Sequence, residues 1–98
     1  MNDEVQWRDD IASVVFAVPG HGAICAVHRG AFRTLIGANP APLDCISYFR
    51  RFEAAFRAAA AAKIVHKGIL AGTSLHLTSR DVARKLLEDH EIANGEDP

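Results

Sequence analysis

The chain has 98 residues, a net charge of −1, 49% hydrophobic residues and 7% aromatic residues. This is one domain, with enough apolar material to fold without a metal or disulfide staple, and no apolar run approaches the ~18 residues of a membrane span. Charge is uneven, near −3 over residues 1–27, +5 over 28–67 and −3 over 68–98, which falls short of a dense nucleic-acid footprint.

Met1-Asn2-Asp3-Glu4 is acidic and lacks the charged-then-apolar pattern of a signal peptide. Cys25 and Cys45 are two isolated thiols and form no disulfide framework. Both features point to a soluble cytoplasmic protein. A single domain is expected over residues 1–93, with 94–98 as a disordered tail.

Ser13–Val18 is rich in β-branched residues and predicts a strand with Val14, Phe16 and Val18 on one face. Pro19-Gly20 supplies turn chemistry, since proline presets φ and glycine accepts positive φ at the next position. Ala23–Val27 predicts the second strand of an antiparallel hairpin, with Ala23, Cys25 and Val27 on one face. A short helix over about Arg29–Ile36 follows, burying Phe32, Leu35 and Ile36 and capped by Gly37. Its start is weak, because His28 is a poor cap and Gly30 a poor helix former.

Asn39-Pro40-Ala41-Pro42 predicts an extended linker. One long helix then starts between Pro42 and Asp44 and runs to about Ile64, with Phe49, Phe52, Phe56, Ala59, Ala60 and Ile64 as its apolar stripe. Ile69-Leu70, an Ala71-Gly72 turn and Thr73–Leu77 read as a second hairpin, although Lys67–Leu70 could equally extend the helix. Thr78 and Asp81 form a variant capping box that opens a last helix burying Val82, Ala83, Leu86 and Leu87. Asp81–Lys85 and Arg84–Glu88 are spaced as ion pairs on its surface. The expected fold is α+β, an antiparallel sheet of three or four strands with three helices, in the order ββααββα.

The residues Trp7, Val14, Phe16, Ile24-Cys25-Ala26-Val27, Arg29, Ala31-Phe32, Arg51, Glu53 and Leu77-Thr78-Ser79-Arg80-Asp81-Val82 together carry a resemblance. Over about Trp7–Leu87 the chain resembles the small bacterial family catalogued as "domain of unknown function 1488". That family usually opens the helix after its second strand with Ser-Arg-Glu, where this chain has His28-Arg29-Gly30. The resemblance implies a fold and brings no activity with it.

Site patterns for chemistry are missing from the sequence. Five histidines, at 21, 28, 66, 76 and 90, include no pair at helical ligand spacing, and neither cysteine belongs to a close pair. The serines lack a nucleophile elbow, and Gly20-His21-Gly22 is no phosphate loop. Cys45 lies near a helix start, which could activate it, although an ordinary partly exposed thiol is the simpler expectation. No catalytic, metal or cofactor residue is therefore assigned, and no cofactor is expected.

Two partner readings remain. Arg29, Arg33, Arg50, Arg51 and Arg57 would form one surface for an anionic partner if their helices lie side by side. The alanines at 54, 55 and 58–62 surround the helix, and Ala58 and Ala61 are the candidate dimer contact. The leading expectation is a non-enzymatic protein-interaction or accessory module acting as a homodimer, with no membrane partner. The alternatives are a nucleic-acid-binding protein and a small-molecule-binding protein or enzyme.

Overall fold

The computed structural model describes the backbone of residues 5–95 and the side chains of residues 5–88. It is an α+β domain built on a four-stranded mixed sheet in the order β1-β2-β3-β4. The strands are β1 (Val5–Arg8), β2 (Ser13–Val18), β3 (Ala23–His28) and β4 (Leu75–Leu77). The helices are α1 (Arg29–Ile36), α2 (Pro42–Arg51), α3 (Glu53–Lys67) and α4 (Ser79–Gly95). The sequence reading of three helices on a fully antiparallel sheet is corrected on both counts.

The β2–β3 hairpin forms as expected, pairing Val14 with Val27 and Phe16 with Cys25. His21 N–H donates to Val18 O at 3.1 Å across Pro19-Gly20, and Gly20 takes φ +82°, a conformation open to glycine. β1 went unrecognised in the sequence, although Val5-Gln6-Trp7-Arg8 alternates in burial as a half-buried strand should. It pairs antiparallel with β2, and a single 3-10 turn, Asp9–Ile11, joins the two.

The second hairpin does not form. Ile69 and Leu70 lie outside the sheet, and β4 pairs parallel with β3 through Cys25–Leu75, Ala26–His76 and Val27–Leu77. The cause is the helical connection from β3 to β4, which returns the chain over the sheet so that it re-enters in the direction of β3. The Leu70–Thr73 turn is real, with Thr73 N–H donating to Leu70 O at 3.0 Å. Gly72 N–H donates to His21 O at 2.8 Å, so this turn is fastened to the hairpin turn.

The expected single long helix is broken at Phe52, where φ −116° and ψ 33° leave helical geometry. Phe52 closes α2 by donating to Tyr48 O and opens α3 by accepting from Ala55 and Phe56. A straight rod over residues 42–67 would be ~39 Å long. That exceeds two of the domain's extents, 33 and 26 Å. The break lets α2 pack on β1 and α1 while α3 packs on β2, β4 and α4.

The helices bury one face of the sheet. Val14, Phe16, Cys25, Val27, Leu75 and Leu77 meet Phe32, Phe49, Phe56, Ala59, Ala60 and Val82. The rings at 16, 49, 56 and 32 form a chain with centroids 4.9, 5.0 and 5.6 Å apart. The alternate residues Gln6, Val15, Ala26 and His76 form a row on the other face.

Three local expectations change. His28 does cap α1, because its Nδ1 accepts the Gly30 N–H at 2.9 Å. Leu87 is 61% exposed and lies outside the core. α4 runs through Asn94 to Gly95, so the tail expected from residue 94 does not begin there, and 96–98 lie outside the described residues.

Candidate functional site: a cationic groove and an exposed helix face

The capping box of α4 forms as read. Thr78 Oγ1 accepts the Asp81 N–H at 3.2 Å, and Asp81 Oδ2 accepts the Thr78 N–H at 2.9 Å. The partner of Asp81 across the surface differs from expectation. Asp81 binds Lys63 Nζ of α3 at 2.9 Å in place of Lys85, because the parallel β4 sets the first turn of α4 against the last turns of α3. Lys63 also donates to His76 O at 2.7 Å, tying three elements together. Lys85 pairs with Glu88 at 3.0 Å, where Arg84 had been expected.

Burial pushes the Asp81 carboxyl up. The Thr78 N–H, the Lys63 ammonium and the Thr78 hydroxyl outweigh it and hold the group below the usual carboxylate range.

A cavity of about 420 Å³ lies between α3 and α4. Ala59 and Ala62 line it with Lys63, His66, Lys67, Asp81, Arg84, Lys85 and Glu88. Both of its acids are held by lysines, Asp81 by Lys63 and Glu88 by Lys85. Lys67 and Arg84 make no ion pair with a described carboxylate. The sequence reading passed over this cluster, since its residues come from helices about 20 positions apart. The i,i+4 spacing of Lys63 with Lys67, and the adjacent Arg84-Lys85, were its only local traces.

The five arginines singled out in the sequence are split into groups. Arg57 is committed: its Nε donates to Glu53 at 2.8 Å, its Nη1 to Ala17 O at 3.2 Å, and it lies over the Phe16 ring at 5.2 Å. Arg50 shares the same Glu53 at 3.2 Å, and those two guanidiniums hold the Glu53 carboxyl below its usual range. Arg51 lies over the Phe52 ring at 5.3 Å. Arg29 and Arg33 are exposed on α1, with Arg29 near Cys45 at the opposite end of α2.

Neither thiol is placed for chemistry. Cys45 is fully buried, not partly exposed, and burial pushes its thiol up despite the helix start and Arg29. Burial pushes the Cys25 thiol up to about 12. Among the described residues no group of three or more His, Cys, Asp or Glu could hold a metal ion. No described helix is long and apolar enough to cross a membrane.

The alanine tract is two-sided. Ala55, Ala59 and Ala60 are buried, while Ala54, Ala58, Ala61 and Val65 are all exposed. Their spacing of four, three and four residues places them in one stripe along the outer face of α3. Comparison with known protein families, with curated proteins and with solved structures finds no match.

Proposed function

We propose that this protein is a non-enzymatic interaction or accessory module that works as a homodimer through the outer face of α3. The observation that carries the reading is the exposed stripe of Ala54, Ala58, Ala61 and Val65, with Val65 80% exposed. Helix propensity accounts for alanine at any of these positions. It does not account for Val65, a β-branched residue that is a poorer helix former and gains nothing from water. Small side chains at heptad spacing let a second backbone approach closely, and a two-fold axis would set the stripe against itself. The nucleic-acid alternative loses much of its basis, because Arg50 and Arg57 are both engaged by Glu53, while Arg29 and Arg33 lie at the opposite end of α2.

The test is sedimentation equilibrium between about 1 and 200 μM, concentrations that bracket a micromolar Kd. A dimeric mass is expected, and Ala58→Glu with Ala61→Glu should return it to the monomer. A monomeric mass at every concentration would sink the reading. Dimers that survive both substitutions would move the contact away from α3.

A further inference from the structure

We propose that the α3–α4 groove binds a small phosphorylated molecule. This goes beyond the homodimer reading and rests on different residues. The cavity of about 420 Å³ falls within the roughly 300–1,000 Å³ range of small-ligand sites. Among the described residues, four cationic side chains, Lys63, Lys67, Arg84 and Lys85, stand against two acids.

Those acids are already engaged. Asp81 accepts from Thr78 N–H, Thr78 Oγ1 and Lys63 Nζ, and Glu88 accepts from Lys85. Among the described residues, the charge without an ion-pair partner therefore sits on Lys67 and Arg84, with the His66 ring beside them. Arg84 supplies the planar fork that matches phosphate oxygens two at a time, and Lys67 supplies a compact charge with movable donors. Ala59 and Ala62 give the groove a low apolar side on which the rest of the molecule could rest.

Simple complementarity to the helix dipole explains part of this pattern, since His66 and Lys67 occupy the last turn of α3. It does not explain Arg84 and Lys85, which come from the first half of α4 and converge on the same space. The size of the groove favours a small molecule over a polymer. A nucleic-acid backbone needs a track of cations longer than one cavity.

The experiment is calorimetric titration of the full chain at about 20 mM salt with inorganic phosphate, pyrophosphate and AMP in turn, mapped by amide chemical shifts. Saturable binding of pyrophosphate or AMP is expected, with the shifts centred on Lys63–Lys67 and Asp81–Glu88. Lys67→Ala with Arg84→Ala should weaken it at least tenfold, whereas Arg29→Ala with Arg33→Ala should leave it unchanged. Both pairs are exposed, so the fold should survive, and amide spectra confirm it. The proposal is overturned if none of the probes binds up to about 10 mM, a limit near 3 kcal/mol of affinity. It is equally overturned if the groove variant binds as the parent does, or if random duplex DNA displaces the probes at equal phosphate concentration.

Discussion

Replacing Asp81 by Asn probes the joint that decides how the sheet closes. The carboxylate holds the N-terminus of α4 through Thr78 and reaches Lys63 on α3, with side chains only 22% and 21% exposed. Asn keeps the size and one acceptor oxygen, but it removes the charge. Loss of the partly shielded ion pair should cost about 1 kcal/mol. Loss of negative charge at a helix N-terminus should add about 0.5 kcal/mol. The remaining Lys63 still has His76 O, so no bare charge is left behind.

A fall of about 1.5 kcal/mol at pH 7 is therefore expected in urea unfolding, which for a domain of this length is a drop of roughly 6–12 °C in Tm. A double-mutant cycle with Lys63→Met should return a coupling of about 1 kcal/mol. The pH dependence follows from the lowered carboxyl. Because the folded group titrates below the unfolded one, its contribution is complete above the unfolded value near 4 and fades as pH falls through the folded one. Asp81→Asn should accordingly flatten the acid limb of the stability curve below about pH 4. A variant within 0.3 kcal/mol of the parent, or a coupling indistinguishable from zero, would refute this account of the joint.

Other substitutions test separate parts of the structure. Phe56→Ala opens the centre of the ring chain and should cost about 3–5 kcal/mol, a large share of the stability of a domain this small, read by urea unfolding. Ala12→Gly should stabilise by up to about 1 kcal/mol, because Ala12 holds φ 48° in the left-handed region, and a loss on thermal unfolding would count against strain there. His28→Ala removes the α1 cap and should cost about 1 kcal/mol, with a smaller loss in His28→Asn. Both cysteines should resist a thiol reagent in the native state and react fully in denaturant, and quick native labelling of Cys45 would contradict its burial.

The sequence by itself determined the local structure wherever one residue type dictates one backbone state. Pro19-Gly20 set the hairpin turn, Thr78 with Asp81 set the start of α4, and the two-residue period of Val14, Phe16, Cys25 and Val27 set the buried face. These interactions span at most a few residues, so their geometry is written in the spacing. The period also separated the buried Ala59 and Ala60 from the exposed face that carries Ala58 and Ala61.

Only the tertiary structure decided the direction of β4, the break at Phe52 and the cationic groove. The strand Leu75–Leu77 has the same pattern in either direction, and its parallel pairing follows from the path of three helices across the sheet. The helix pattern runs without interruption through Phe52, yet the backbone leaves helical geometry there, and α2 and α3 pack on different elements. Lys67 and Arg84 are unremarkable surface cations on their own helices. They line one cavity because the sheet order packs α4 against α3, a consequence of long-range contacts that no local spacing encodes.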